Sequence, residues 1–192
     1  LVNKYWPLYF KKKHSVYITF LPDEKSENVI DTAKKLKLEG YEVIPHLPAR
    51  TIENINVLEK YIGELANEAG CSEILIIGGG GNQAGNISST MDVLKTDLLS
   101  KFNYKSVGVA GHPEGNKDID LDNTFKNVDM ALEWKQKFSE RTDASMGITT
   151  QFAFDSKPIF EWANRIQASG INLPINVGIA GPAKLQTLIK FA

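Results

Sequence analysis

The stretch Val107-Gly-Val-Ala-Gly-His-Pro-Glu-Gly-Asn116 joins a short apolar run to an abrupt polar end. The run from Val107 to Ala110 has the composition of a buried strand in a parallel sheet, and His112 and Glu114 follow it closely. In parallel α/β folds, ligands bind at the carboxyl ends of strands. This stretch therefore predicts a buried strand that delivers His112 and Glu114 to a functional site.

Short apolar runs of this kind alternate with amphipathic helical patterns along the chain. Strict alternation of strands and helices predicts a parallel sheet with crossover helices. The six predicted strands are Val16–Phe20, Tyr41–His46, Glu73–Ile77, Ser106–Ala110, Met146–Phe152 and Ile175–Ile179.

Two parallel architectures compete for this order of elements, an open doubly wound sheet and a (βα)8 barrel. An open sheet places its ligand contacts near one switch point, whereas a barrel gathers all strand ends around one mouth. Nearly every predicted strand ends in residues suited to a site, which favours the barrel. We predict an α/β fold of the (βα)8 TIM-barrel type, with six of eight strand–helix units, as a single partial domain over residues 1–192.

The helix boundaries follow from capping residues and from the glycines after the helices. One helix is expected to carry Met91, Leu94 and Leu98 on a common face. The predicted helix starts are, in chain order, Asp23 or Ser26, Thr51, Ser88 or Ser89, Asp122 or Asn123, Asp155 or Ser156, and Pro182.

The composition is that of an ordinary globular protein, with 42% hydrophobic and 23% charged residues and a net charge of −1. This charge gives no electrostatic reason to expect nucleic acid or an anionic membrane as a partner. No apolar run approaches the roughly 20 residues that span a bilayer, and no signal peptide is visible. Cys71 is the single cysteine, so we expect no internal disulfide and a cytoplasmic location. The sequence does not decide between a monomer and a homo-oligomer.

The ends of the chain show a different kind of pattern. The sequence starts at Leu1 rather than Met, and it stops at Ala192 soon after a predicted helix begins. We therefore expect the chain to be part of a longer protein.

The glycine run Gly78-Gly-Gly-Gly81 follows the third predicted strand. Its backbone amides can face a phosphate or a flat cofactor ring, although its spacing matches neither GxGxxG nor the P-loop. The alternative is a flexible exit from the strand. His46 also ends a strand, where it is either a structural hydrogen-bonding residue or part of a site. His112 and Glu114 do not have the spacing of a zinc site.

The segment Thr149-Thr-Gln-Phe-Ala-Phe-Asp155 alternates around Gln151. A glutamine at a strand end offers a donor and an acceptor to the amide edge of a heterocycle. One of Phe152 and Phe154 is expected in the core. The chain has no Ser/His/Asp arrangement, reactive-cysteine context or HExxH motif, so chemistry carried out by a cofactor is the best enzymatic interpretation.

Taken in order, four motifs resemble the methylenetetrahydrofolate reductase family. They are Pro45-His46-Leu47, the glycine-rich end of the third strand, Ala110-Gly-His-Pro-Glu-Gly115 and Thr150-Gln-Phe-Ala-Phe-Asp155. The resemblance runs from about Val16 to the C-terminus. It implies a (βα)8 barrel that holds FAD and transfers hydride from NAD(P)H to 5,10-methylenetetrahydrofolate, which gives 5-methyltetrahydrofolate.

The resemblance also implies roles for individual residues. Lys135 would reach the phosphates of FAD, with Lys137 as its competitor, and Gln151 would hydrogen-bond the pterin ring of folate. Phe152 or Phe154 would border the folate pocket. The implied cofactor contacts are Thr19, His46, Gly78, Gly79, Gly80, Ala110, His112, Asn116, Asp118 and Lys135.

Two features depart from the pattern of the family. The family carries an aspartate near the flavin at the glycine-rich strand end, whereas here Gly78–Gly81 is followed by Asn82. The family's general acid is a glutamate on its first strand, which we expect before Leu1, so the catalytic residue is unknown and the chain alone is expected to be inactive. Glu114 is expected to serve the turn rather than catalysis.

These departures leave three hypotheses open. The first is a flavin-dependent methylenetetrahydrofolate reductase. The second is a folate-binding or methyl-transferring protein on the same barrel without reductase activity. The third is a barrel fragment or paralogue that has lost chemistry and serves in assembly or regulation.

Overall fold

A computed structural model describes residues 14–179 except 22, 81 and 123. The strands in these ranges are β1 (Ser15–Ile18), β2 (Glu42–Pro48), β3 (Glu73–Ile77), β4 (Ser106–Gly111), β5 (Ser145–Ala153) and β6 (Ile175–Ile179). The α-helices there are α1 (Ser26–Leu38), α2 (Ile55–Asn67), α3 (Thr90–Leu94), α4 (Leu98–Lys101), α5 (Lys126–Ser139) and α6 (Ser156–Ala168). A short 3-10 turn, Ala49–Thr51, follows β2.

The strands follow one another in the sheet in chain order, from β1 to β6. The pairs β1–β2, β2–β3, β3–β4 and β5–β6 are parallel. A doubly wound sheet would reverse its strand order at a switch point, whereas a (βα)8 barrel keeps the order of the chain. The predicted TIM-barrel-type α/β fold is therefore confirmed. The helix predicted from Pro182 lies outside the described residues.

The chain packs as two compact units. The first contains the described residues up to Val109 together with Phe138–Met146. The second contains Ala110–Lys137 and the described residues from Gly147 onward. That residues 1–192 form a single partial barrel domain stays a prediction.

The core of the first unit lies between the sheet and its helices. β2, β3 and β4 contribute the buried side chains Val43, Leu47, Ile74, Ile76, Val107 and Val109, and α2 contributes Leu58, Ile62 and Leu65. The hydroxyl of Tyr104, which is also buried, donates to the carbonyl of Ile62 at 3.0 Å. Burial of these apolar surfaces is the main stabilising term, and the hydrogen bond satisfies the one polar atom of the Tyr104 ring.

Two helix boundaries in the first unit differ from the sequence prediction. The second helix was expected to start at Thr51, but the backbone forms a 3-10 turn there and α2 starts at Ile55. Asn54 caps α2, because its side chain accepts from the amides of Asn56 and Val57 at 3.0 and 3.1 Å. The predicted third helix is interrupted between α3 and α4, where Asp97 has a left-handed φ of 57°.

In the second unit, an ion pair between Asp129 and Arg165 joins α5 to α6. Trp162 and Ile166 form the buried face of α6, and Gly111 lies directly against that face. A Cβ at Gly111 would come within 2.4 Å of Ile148 and 2.9 Å of the Trp162 ring. The glycine that ends β4 is therefore required by packing. Asp155 caps α6 as predicted, with its carboxylate accepting from the amide of Lys157 at 2.9 Å.

The N-terminus of α5 is capped by an unexpected residue. The sequence placed Asp122 or Asn123 before this helix. Asn123 lies outside the described residues, and the carboxylate of Asp122 accepts from the amide and the hydroxyl of Thr124. The buried carboxylate of Asp120 instead accepts from the amides of Asn127 and Val128 at 2.9 and 3.1 Å. The cap therefore comes from a residue several positions upstream, which folds back over the helix end.

Among the described residues, no helix has the length and apolar character needed to cross a membrane.

Candidate functional site

The five predicted site residues of the first unit lie at the carboxyl ends of three neighbouring parallel strands. Thr19 directly follows β1 and is exposed, and His46 lies near the end of β2, which continues to Pro48. Gly78–Gly80 directly follow β3. Because these strands are parallel neighbours, their ends share one edge of the sheet, as the sequence predicted.

His46 has an unused hydrogen-bonding atom. Its carbonyl accepts from the hydroxyl of Tyr61 at 3.0 Å, and its ring meets Tyr17 edge-on with centroids 6.0 Å apart. Its Nδ1 is buried and has no hydrogen-bond partner among the described residues. Burial lowers the pKa of this imidazole, so the ring is neutral at neutral pH. A buried polar atom without a partner costs about 1–3 kcal/mol, which a polar atom of a ligand would recover. The unpartnered Nδ1 of His46 therefore suits a polar atom at the edge of a flavin ring.

The glycine run serves packing at one position and leaves space at two others. Gly79 has φ of 83°, and a Cβ there would lie 3.0 Å from the Cβ of Pro48, so both the turn and the contact need glycine. Around Gly78 and Gly80, no atom lies within 4 Å of where a Cβ would stand. These two positions, unlike Gly79, have room for a ligand. Gly81 lies outside the described residues.

Arg50 is a residue of this region that the sequence interpretation missed. It lies in the 3-10 turn after β2, where its amide donates to the carbonyl of Gly78 at 2.9 Å and its own carbonyl accepts from Ala84 at 2.8 Å. The side chain is half-buried, and within the described part of the chain its guanidinium has neither a hydrogen bond nor an ion pair. A cation directly after a strand end was the available signal.

In the second unit, the turn that follows β4 carries the next group of predicted positions. Ala110 lies in β4 and His112 directly follows the strand. The turn closes through the amide of Gly115, which donates to the carbonyl of His112 at 3.1 Å. Glu114 is exposed in this turn. Burial, and then the nearby charge of Lys135, lowers the pKa of His112, so this imidazole is also neutral at neutral pH.

Lys135 is the most unusual charged residue of the second unit. Its side chain is only 6% exposed, and it has no hydrogen-bond or ion-pair partner among the residues that the structure describes. Burial lowers its pKa to about 8, so the group still carries a charge at pH 7. Lys137, its competitor in the sequence interpretation, is exposed. A buried charge is costly unless paired, so Lys135 fits an anionic group such as the pyrophosphate of FAD.

A sequence signal for the burial of Lys135 exists in the helical period. The buried positions of α5 are Val128, Leu132 and Lys135, spaced four and three residues apart on one helix face. A lysine that occupies the apolar face of a helix is unusual, because lysine is rarely buried without a partner. The position of Lys135 within this pattern distinguishes it from Lys137.

Asn116 and Asp118 form the next turn of this segment. The side-chain oxygen of Asn116 accepts from the amide of Asp118 at 2.9 Å, and its carbonyl accepts from the amides of Ile119 and Asp120. Asp118 is exposed. These bonds give Asn116 a local structural role. Its contact with the ribose and phosphate side of FAD stays a prediction.

Gln151 lies at a β-bulge of β5 and is exposed. Its side-chain oxygen accepts from the amide of Phe152 at 3.2 Å. Phe152 is half-buried and Phe154 is 58% exposed, and the two rings meet edge-on at 5.7 Å. The expectation that one of them lies in the core is therefore wrong. The buried positions Met146, Ile148 and Thr150 alternate along β5, and the bulge ends that alternation.

Each unit offers its own set of binding groups. The first unit offers a neutral imidazole and open space beside two glycines, and the second offers a buried cation, a second neutral imidazole and an exposed amide. Among the described residues, no group of three or more His, Cys, Asp or Glu side chains could hold a metal ion.

Comparison with known proteins bears on the resemblance. No protein-family model matches the chain. Methylenetetrahydrofolate reductase 1 of Schizosaccharomyces pombe is 32% identical over an alignment of 130 residues, and the match covers 59% of this chain and 19% of that protein. Methylenetetrahydrofolate reductase 2 of Saccharomyces cerevisiae is 28% identical over an alignment of 164 residues, and the match covers 80% of this chain and 25% of that protein.

The chain thus spans a quarter or less of the length of these two curated relatives. The match to the second relative nevertheless covers most of the chain, and both relatives carry the name of the family that the motifs indicated. The resemblance drawn from the motifs is confirmed: in sequence, this chain is similar to methylenetetrahydrofolate reductases.

Proposed function

We propose that this chain acts in folate-linked one-carbon metabolism, in the flavin-dependent reduction of 5,10-methylenetetrahydrofolate to 5-methyltetrahydrofolate with NAD(P)H as the hydride donor. Two relatives named methylenetetrahydrofolate reductase support the reaction class. The (βα)8-type strand order supports a site at the strand ends, because that is where such barrels bind their ligands.

The observation that carries the flavin part of the proposal is Lys135. A lysine that is 94% buried and has no partner in the described residues is expensive to keep charged, and its pKa of about 8 leaves it charged at pH 7. A bound pyrophosphate would neutralise it. The proximity of neutral His112 gives the same region a group that packs against a ring without adding a second charge.

The remaining proposed contacts follow the resemblance, residue by residue. In the first unit they are Thr19, His46 and the glycines Gly78, Gly79 and Gly80, of which His46 offers an unpartnered Nδ1 and Gly79 serves the turn. In the second unit they are Ala110, His112, Asn116, Asp118 and Lys135 for the cofactor, and Gln151, Phe152 and Phe154 for folate.

FAD, when bound, would supply the hydride-transfer chemistry between nicotinamide and folate. The residues of this chain bind the cofactor and the folate and orient them. Lys135 neutralises phosphate charge, His46 donates to or accepts from a ring edge through Nδ1, and Gln151 presents its amide to the pterin. With both imidazoles neutral at neutral pH, neither His46 nor His112 adds a positive charge beside the cofactor.

A flavin titration of the full chain tests this proposal. We expect FAD to bind with quenched flavin fluorescence and a shifted visible spectrum. Anaerobic addition of NADH or NADPH should then bleach the bound flavin, which also identifies the preferred nicotinamide. A full chain that stays colourless and leaves FAD fluorescence unchanged would contradict the flavin-dependent function.

A folate-binding or methyl-transferring protein without reductase activity is the second candidate. The glycine run favours it, because Gly78–Gly81 is followed by Asn82 and offers no carboxylate, which the resemblance would place beside the flavin. This candidate predicts that 5-methyltetrahydrofolate binds to the full chain while FAD does not. Equilibrium dialysis of both ligands against the same protein preparation separates the two functions.

A further inference from the structure

We propose that Thr150 and Gly178 are positioning residues that clamp the bulge of β5 and thereby fix Gln151 for its ligand. The inference rests on the proposed function, because the contact between Gln151 and folate belongs to it. The clamp itself lies within the second unit and is built from one hydrogen bond and one close backbone approach.

The bulge is visible in the pairing of β5 with β6. Thr149 pairs with Asn176 and Phe152 pairs with Gly178, so β5 advances three residues while β6 advances two. One residue of β5 is therefore extra. Bulges of this kind re-aim a side chain and are frequent beside active sites. Gln151 lies within the shifted segment.

Thr150 binds a backbone donor at the bulge. The amide of Gly178 donates to the side-chain hydroxyl of Thr150 at 2.9 Å. Thr150 is only 6% exposed and Gly178 is half-buried, so an unmet amide at this position would be costly. The hydroxyl therefore stabilises the irregular register.

Gly178 allows the two backbones to approach at the bulge. A Cβ at this position would lie 2.7 Å from the amide nitrogen of Phe152 and 2.8 Å from the carbonyl carbon of Gln151. These are backbone atoms, which do not move aside as the end of a flexible side chain can. Any larger residue at position 178 would displace the segment that carries Gln151.

The clamp decides which atoms of Gln151 a ligand meets. The side-chain oxygen of Gln151 already accepts from the amide of Phe152 at 3.2 Å. The two N–H donors of the same amide group have no partner among the described residues, and the residue is exposed. Gln151 therefore presents donors, so the matching ligand group is an acceptor such as a ring carbonyl or an unprotonated ring nitrogen.

Substitutions at Thr150 separate positioning from general structural damage. Thr150→Val keeps the shape but removes the hydroxyl, and Thr150→Ser keeps the hydroxyl and serves as the matched control. We expect Thr150→Val to weaken binding of 5-methyltetrahydrofolate by the full chain by about tenfold, with FAD affinity changed by less than about twofold. Thr150→Ser should restore folate affinity, and Gly178→Ala should reproduce the loss.

Hydrogen exchange at the amide of Gly178 gives a second measurement that does not depend on any ligand. We expect faster exchange in Thr150→Val than in the unmodified chain or in Thr150→Ser. Unchanged folate affinity in Thr150→Val, or unchanged exchange at Gly178, would overturn the positioning role while FAD binding leaves the proposed function in place. If the unmodified chain binds neither FAD nor folate, the proposed function fails instead, and the exchange measurement still judges the clamp.

Discussion

The imidazole of His112 and the ammonium group of Lys135, a buried residue, interact in the second unit, where burial first and this charge second lower the pKa of His112. No carboxylate pairs with Lys135 in the described part of the chain. One uncompensated cation beside a neutral imidazole is an arrangement that an anionic ligand would stabilise.

Replacing Lys135 with Met should stabilise the unliganded chain and weaken its binding of FAD. Burial lowers the pKa of Lys135 from 10.5 to about 8, so at pH 7 the folded state bears the full cost of the charge. We expect the free energy of unfolding to rise by up to about 3 kcal/mol, and the FAD affinity to fall by about tenfold or more. Urea unfolding and FAD titration measure the two effects.

Lys137→Met is the matched control, because Lys137 is exposed on the same helix. It should change the free energy of unfolding by no more than about 0.5 kcal/mol and leave FAD affinity unaltered. If Lys135→Met is less stable than the unmodified chain, Lys135 does not carry an uncompensated charge in the folded state.

The affinity for FAD should depend on pH through the same lysine. Above the pKa of about 8, the unliganded protein must take up a proton before its lysine can pair with phosphate. We therefore expect affinity to be constant below about pH 7.5 and to fall with increasing pH above about pH 8. FAD titrations across this range should give a flat profile for Lys135→Met. An equally steep profile in that variant would assign the titration to another group.

The stability of the unliganded chain should change in the opposite direction. Because the folded pKa is lowered, the penalty is complete below about pH 8 and disappears as the pH rises toward the ordinary lysine value of 10.5. The contribution of Lys135 to the free energy of unfolding should therefore become less unfavourable over that interval. Comparing urea unfolding of the unmodified chain with that of Lys135→Met at each pH isolates this contribution from other titrations.

The glycine run should respond differently at two neighbouring positions. Gly79→Ala should lower the free energy of unfolding by about 1–2 kcal/mol, because φ is 83° and the new Cβ would press on Pro48. Gly80→Ala should stay within about 0.5 kcal/mol of the unmodified chain, since its Cβ meets no atom within 4 Å. A ligand in that space would make Gly80→Ala weaken FAD binding without loss of stability. Equal destabilisation by both changes would refute this division of roles.

Two aspartate substitutions test which residue caps α5. Asp120→Ala removes two hydrogen bonds to the amides of Asn127 and Val128 and should cost about 1–3 kcal/mol. Asp122→Ala, at one of the two positions that the sequence offered, should cost no more than about 0.5 kcal/mol because Asp122 is exposed. Thermal unfolding of both variants decides between them. The reverse order of stabilities would mean that Asp122 is the cap.

The fold followed from sequence because its signals are local. The run from Val107 to Ala110 is apolar and β-prone, and β4 spans Ser106–Gly111. Asp155 caps α6 two residues from the amide that it accepts from, so the pattern and the contact lie in the same short segment. Alternation of such segments then determined a parallel sheet in chain order.

The failures have physical reasons that involve distant residues or irregular backbone. Thr51 looked like a helix start, but the backbone forms a 3-10 turn there and Asn54 caps α2. Strict alternation placed Phe152 or Phe154 in the core, and one extra residue in β5 ended that alternation. Hydrophobic periodicity predicts neither the 3-10 turn nor the bulge, because both depend on how one segment packs against its neighbours.

The sequence by itself determined the strands, most of the helices and the family that the motifs resemble, since apolar period, capping residues and motif order are written in contiguous residues. Only the tertiary structure decided which aspartate caps α5 and how the bulge presents Gln151. These choices depend on how a loop folds back over a helix end and on how two neighbouring strands pair, which no local pattern specifies.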